Sequence, residues 1–435
     1  MLLTDVQIAA RNLTRHTRRN LFLGGALATV TALLVLLGAL TAGMEASMME
    51  SALTLLTGHV NVGGFFKVTS GSAAPLVSDY PRLLALVRER VPEVDYVTWR
   101  GRGWAKAVSE SSSMDLVLAG VDVGNEPSFR RTLRITEGRL DDLAQPGTVL
   151  LFQGQADRLK VRVGDVVTIS APTARGVNNT ADLRVVAIAR NVGLLSAFSA
   201  FVQADAVRTL YGLNASTTGA IHVYLKDPAA APAVALRLRQ EIAKAGWRVM
   251  EPDAQPYWMK LMVKVPSEDW TGQKIDVTTA DDEMGQFKQF IRALQGVTWV
   301  LTVVLMLVVI IGILNTLAIA IRERTREIGT LRAIGMQRRK VLWLFVLETT
   351  LLGLSGTAAG AAVAAAVAGL LNARGIAVPE AVQFFLSQET LHFLLEPGAI
   401  AAKVLLLAGV TVLAALYPAR RAARLKPITA MHQIG

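Results

Sequence analysis

Four stretches of this chain stay apolar long enough to cross a bilayer, which takes about 20 residues. Residues 21–44 and 297–321 carry no charge, 341–371 carry only Glu348, and 399–419 carry only Lys403, near their start. The Lys403 stem can snorkel to the membrane interface. The pattern predicts an α-helical membrane protein with four transmembrane helices. The first stretch exceeds the roughly 7–15 residues of a secretory signal core, so it reads as an uncleaved anchor rather than a signal.

Between the first and second stretches the pattern changes. Short β-like runs occupy residues 59–62, 94–99, 114–121, 148–152, 165–170, 183–189 and 220–225. Amphipathic helical stretches fall at 81–91, 204–211 and 229–245. Together they predict a large mixed α/β extracytoplasmic domain over 45–290, built of two lobes, with Gly63-Gly64 and Gly71 as turns setting it off from the first span. Residues 251–296 lead into the second span, where Phe287, Phe290, Ile291 and Leu294 recur at helical spacing. They read as a helix packing on its own domain; an apolar wall for a lipid-bearing substrate is the alternative. The expected division is 1–44 for the cytosolic N-terminus and first transmembrane helix, 45–290 for the outer domain, and 291–435 for three transmembrane helices, a loop at 321–342 and a basic tail.

Charge then sets the orientation. Of 435 residues, 52% are apolar and only 18% charged, below the quarter or so of a soluble domain. The net charge of +11 suggests nucleic acid until it is mapped. Residues 44–290 hold 27 basic and 27 acidic side chains. The excess lies in Arg11, Arg15, Arg18 and Arg19, in seven basic residues of the 321–342 loop, and in Arg420, Arg421, Arg424 and Lys426. Lys and Arg beside span ends mark the cytoplasmic side. Both termini and the 321–342 loop are therefore expected inside, the large domain outside, and no nucleic-acid partner.

Nothing in the chain looks catalytic. There are no cysteines, which excludes disulfides, thiolate metal sites and cysteine nucleophiles. His16, His59, His222, His392 and His432 are scattered without metal-ligand spacing. Ser111-Ser112-Ser113 reads as a turn, and Asp281-Asp282-Glu283 as a solvated helix start rather than a cation site. No G-x-x-x-x-G-K-[ST] phosphate loop is present, so the chain is not expected to hydrolyse ATP by itself, and no cofactor or metal is expected.

The 321–342 loop is the informative segment. Thr325 can cap a helix whose first turn holds Glu327, and Gly335 can close it in a left-handed turn. Ile328, Leu331, Arg332 and Gly335 fall on one face, predicting an apolar-and-basic stripe free to dock on something. A loop touching anionic lipid accounts for the arginines alone. In the third span, Gly356 and Gly360 begin a small-residue face suited to close helix packing. Glu348 lies about 12 Å in from Lys340 and must pair, neutralise or face water. Asn315 or Thr316 are its expected partners, in a static bond or a moving hinge contact.

Residues 323–336, with Glu323, Arg324, Arg326, Glu327, Ile328, Leu331, Arg332, Gly335 and Met336, resemble the coupling segment of ABC-superfamily permeases related to MacB, Lol-type and FtsX proteins. The likeness continues through Gly353, Gly356 and Gly360, the 417–427 tail, and the outer-domain landmarks Gly58-His-Val-Asn-Val, Leu118-Ala-Gly-Val-Asp, Glu137-Gly-Arg and Val161-Arg-Val-Gly-Asp. The first of these is closest to the lipoprotein-releasing Lol-type permeases. The resemblance implies a non-catalytic permease subunit in the bacterial inner membrane, working by mechanotransmission. Its implied partners are a cytosolic ABC ATPase subunit, a second permease subunit, a periplasmic carrier or adaptor, and a lipid-linked substrate. A peptide or drug exporter is the second reading, and an FtsX-like signalling scaffold for a cell-wall hydrolase the third.

Overall fold

The computed structural model describes residues 7–9, 11–13, 17–69, 72–173, 177–376, 378 and 390–424. Gly71, Arg15, His16, His432 and the tail from 425, with Lys426, lie outside the described residues, as do the side chains of Arg19, Gln286, Phe287, Arg326 and Leu331. Among the described residues four helices are long and apolar enough to cross a membrane: Thr17–Leu55, Gly285–Glu323, Arg338–Arg374 and Pro397–Ala423. The first has 39 residues, about 58 Å of helix against a hydrocarbon core of about 30 Å. Hydropathy marks only the part matched to lipid, so the apolar run ends at residue 44 while the helix continues through Glu45 and Glu50. Internal contacts divide the chain into two units, one built from residues 1–43, 291–377 and 390–435, the other on 44–290.

In the helical unit the third helix lies at the centre. A Cβ added to Gly356 would sit 3.0 Å from the Gly24 carbonyl oxygen of the first helix, and one on Gly360 would collide with the Ala28 carbonyl. A Cβ on Gly353 would lie 3.2 Å from Thr411 Cγ2 of the fourth helix. Without these side chains the backbones approach directly. Thr357 and Thr411, both fully buried, donate to the Gly353 and Leu407 carbonyls at 2.7 Å, so neither hydroxyl is left unsatisfied. The second helix packs on the first through Leu23, Leu27, Val309 and Ile313. Residues before the fourth helix are stitched down as well. Leu394 N–H donates to the Ala39 carbonyl at 3.0 Å, and the Asn372 amide donates to the Phe393 carbonyl and accepts from its N–H.

The other unit has two sheets. Its described strands are β1 (Val60–Thr69), β2 (Ser72–Ala74), β3 (Val94–Arg100), β4 (Arg102–Val108), β5 (Ser113–Val121), β6 (Ile135–Gly138), β7 (Thr148–Phe152), β8 (Val166–Pro172), β9 (Asn178–Ala189), β10 (Ser199–Gln203), β11 (Ala220–Leu225) and β12 (Gly272–Thr279). One sheet runs β12-β1-β11-β3, antiparallel throughout, with β2 on β1. The other runs β6-β9-β7-β10-β5-β4-β8, and β8 also pairs with β9, so the sheet returns on itself and leaves few open edges. Val149, Leu151, Val167, Ile169 and Val185 fill its interior. Gly63 and Gly64 are not turns. They lie inside β1, where a Cβ on Gly64 would be 2.7 Å from the Lys274 carbonyl of β12, so the glycine serves close strand approach. Glu283 is not solvated either. Burial raises its carboxyl above the usual range while it accepts from Thr278 Oγ1 and Tyr257 N–H. Its neighbour Asp282 completes a capping box with Thr279, as a helix start requires.

A buried arginine organises this unit. The helix Thr17–Leu55 ends in carbonyls without intrahelical partners. Arg100 Nη1 donates to the Leu55 carbonyl at 2.9 Å and Nη2 to that of Thr54 at 2.8 Å, while Tyr224 Oη donates to Leu53 O. The same guanidinium pairs with Glu126, its Nε lying 3.1 Å from Oε2, and both side chains are almost fully buried. Glu126 also accepts from Thr98 Oγ1. His222, hydrogen-bonded to Asn61, is held neutral well below its usual range by burial first and then by Arg100 and Arg102.

Replacing both Gly356 and Gly360 by Leu is expected to abolish packing of the first and third helices and the yield of monodisperse protein on size exclusion, whereas Val363→Ala, at an exposed position of the same helix, should leave it near normal. Arg100→Met strands Glu126 in the interior and should destabilise the outer unit by about 3–5 kcal/mol, with Arg100→Met/Glu126→Gln recovering most of the loss. Denaturant unfolding followed by the fluorescence of the adjacent Trp99 checks this; losses that simply add would show no coupling.

Candidate functional site: the loop between the second and third spans

The second helix breaks for a single residue. Arg324 leaves helical geometry, a short helix runs Thr325–Ala333, and the third helix begins at Arg338 after Gln337. The break is shallow, because Arg324 N–H still donates to Ala320 O and Ile328 N–H to Arg324 O. Thr325 is therefore not a cap: with the backbone donors already served, its hydroxyl bonds back to the Ile321 carbonyl at 2.8 Å. Gly335 closes the short helix at φ +102, a conformation that suits glycine.

Two of the four residues of the predicted docking stripe, Ile328 and Arg332, are engaged within the chain. Ile328 is 4% exposed and packs with Val341, Phe345, Ala419, Ala422 and Ala423, and Met336 joins the same cluster. Arg332 Nη1 donates at 3.0 Å to the Ala423 carbonyl, one of the unpaired acceptors at the end of the fourth helix. That face holds the fourth helix and is not free. Three alanines and a carbonyl on a segment about 90 residues away supply the partners, which periodicity cannot show. What remains outward is Glu323, Glu327, Thr330, Gly335 and, above all, Ile334, an isoleucine 80% exposed beside the turn. Ile334 was missed because it falls off the stripe; its position one residue before the glycine was the available signal.

Glu348 finds a different partner from the one expected. Arg324 Nη1 lies 3.0 Å from its Oε2, and both side chains are about nine-tenths buried. Asn315 is exposed, and Thr316 only lines a small gap beside Glu348. Arg324, Glu327, Ile328, Phe345 and Glu348 also line a groove of about 80 Å³. The pair bolts the short helix directly to the third span. Among the described residues no His, Asp and Glu cluster has the makings of a metal site.

With the architecture in place, the comparisons fall into one pattern. Residues 25–241 match the MacB-like periplasmic core domain and 299–427 the FtsX-like permease C-terminal model. The chain belongs to the MacB/FtsX-like family of ABC transporter permeases. Four apolar helices with a MacB-like periplasmic domain between the first two make it an inner-membrane protein with that domain in the periplasm. It is 35% identical over 121 residues to the pyoverdine export ATP-binding/permease protein PvdT of Pseudomonas fluorescens Pf-5, covering 28% of this chain and 16% of that one. It is 35% identical over 123 residues to the macrolide export ATP-binding/permease protein MacB 1 of Aeromonas hydrophila, covering 28% and 17%. The matched stretch thus spans about a sixth of the length of these relatives. The crystal structure of the periplasmic region of MacB from Actinobacillus actinomycetemcomitans aligns with 55% of this chain and 95% of its own, at 13% identity and a TM-score of 0.32.

Arg324→Gln should loosen the short helix against the third span. A hydrogen bond to a charged group contributes about 1.5–3 kcal/mol, so amide hydrogen exchange over 324–334 and 344–352 should quicken by about 10- to 100-fold, with no change over 44–290. Unchanged exchange would mean that the ion pair does not secure this helix.

Proposed function

We propose that this chain is the permease subunit of a mechanotransmission-type ABC transporter that pairs with a second permease subunit and takes its energy from a separate cytosolic ATPase docked on residues 323–336. The observation that carries this reading is the double attachment of the short helix. Arg324 ties it to the third span through Glu348, and Ile328 and Arg332 tie it to the end of the fourth. A force applied to its outward face is delivered to two membrane helices rather than lost in a loose loop. That face offers Ile334 and Glu327, an apolar knob beside a carboxylate. Arg326 and Leu331 belong to the same proposed coupling segment.

For the cargo we favour a lipoprotein or other lipidated molecule handed to a periplasmic carrier, on the likeness of residues 58–62 to Lol-type permeases. In this chain Asn61 of that stretch accepts from Gly58 N–H and bonds to His222, which fixes the start of β1. Export of a small molecule or peptide through an adaptor is the second reading, supported by relatives named for pyoverdine and macrolide export. A signalling role at a cell-wall hydrolase is the third.

Ile334→Asp should lower co-purification of the cognate ATPase about 10-fold or more, since a buried isoleucine contributes about 1.5–3 kcal/mol. Membrane insertion and the outer domain should be unaffected. Arg332, already engaged inside the chain, should not be a direct grip. ATP-dependent release of a lipidated substrate against efflux of a macrolide, both in reconstituted vesicles, separates the cargo readings. Full coupling in the Ile334→Asp protein would remove this face from the mechanism.

A further inference from the structure

Lys403 sits inside the hydrophobic run of the fourth helix, six residues and about 9 Å from Pro397. Its stem does not simply run out along lipid. The side chain crosses onto Gly38 of the first helix, where a Cβ would be 3.0 Å from Lys403 Cε and would collide with the ammonium. Any other residue at 38 closes this seat. The position is half-buried, so part of it stays open to the surroundings. Among the described residues no hydrogen-bond or ion-pair partner meets the ammonium. Glu396, the exposed residue that precedes the fourth helix, acts on it electrostatically. Glu396 and Lys403 are seven residues apart, two turns along one face, with the acid about 10 Å nearer the outer surface.

A cation in a bilayer needs a counter-charge. Basic seats between membrane helices take phosphate headgroups. Here the basic residue is rooted deeper in the helix than the acidic one, the order in which a phosphoethanolamine headgroup carries its phosphate and its amine. We propose that the Gly38–Lys403–Glu396 seat binds one outer-leaflet phosphatidylethanolamine, its phosphate on Lys403 and its ammonium on Glu396. The lipid completes the charge balance of the fourth helix where it crosses the first, and this site is independent of the ATPase-docking face.

The test uses the full chain in detergent, exchanged with equimolar phosphatidylethanolamine and phosphatidylglycerol and weighed by native mass spectrometry. The wild-type chain should retain phosphatidylethanolamine over phosphatidylglycerol by about 5-fold. Glu396→Gln should bring the two lipids level without loss of total binding, and Lys403→Met should lose both, while Lys403→Arg keeps them. The lipid ratio is read within each variant, and size exclusion confirms that each is monodisperse. Should Lys403→Met prove misfolded, the Glu396→Gln ratio still decides the question. Retention of both lipids by a monodisperse Lys403→Met protein, or an unchanged ratio in Glu396→Gln, would overturn the proposal.

Discussion

The contact on which the helical unit depends is the bare-backbone crossing of the third helix with the first. Gly356 and Gly360 face Gly24 and Ala28 with no side chain between, and one turn nearer the start of the same helix Gly353 admits Thr411 of the fourth helix. In lipid there is no hydrophobic gain in bringing helices together, so such contacts rely on close van der Waals packing. Everything that gives the inner end its order follows from having the first, third and fourth helices this close. Phe345 and Val341 reach Ala419 and Ala422 only because the helices already touch two turns further along. Glu348 is kept from lipid by the same packing, and its carboxylate then has Arg324 as its neighbour.

How much of this was legible depends on the physics behind each signal. Spans, domain order and orientation came from apolar length and from the placement of arginines, both local in sequence. The strands at 148–152 and 220–225 and the helix at 204–211 stand at those residues, because each is bounded by turn-forming or capping chemistry that a linear pattern displays. β2, β4, β6, β10 and β12 carry no such signal. β12 is Gly-Gln-Lys-Ile-Asp-Val-Thr-Thr, mostly polar, yet it pairs with β1 along its whole length and its Lys274 and Asp276 are engaged by other side chains. A polar residue that finds its partner in three dimensions looks like a loop residue in one.

The same limit explains the arginines of the 321–342 loop. Counted together they orient the chain, and their sum says nothing about which are engaged. Arg324 spends its charge on Glu348 and Arg332 on a helix-end carbonyl, while Ile334, an apolar residue, is left outside. A face that looks ready to bind by periodicity is, for the same reason, well suited to pack on the chain's own next helix. Identifying the outward face requires knowing which partner has already been satisfied.

Among the described residues, two arginines finish membrane helices. Arg332 serves the carbonyl of Ala423 at the end of the fourth helix, and Arg100 serves those of Thr54 and Leu55 at the end of the first. Free carbonyls at a helix end fray readily, and a guanidinium held by a second contact both satisfies them and opposes the negative end of the helix dipole. Arg100 is itself fixed by Glu126, and Arg332 lies on a helix that Ile328 and the Arg324–Glu348 pair hold in place. Secured at these ends, the first and fourth helices are suited to move as rods rather than to unwind. Bending then falls to the points where the backbone is already irregular, Arg324 and Gly335, on either side of the short helix that presents Ile334. That short helix is attached to the third span through Arg324 and to the end of the fourth through Ile328 and Arg332, so the two spans share one anchor at this end.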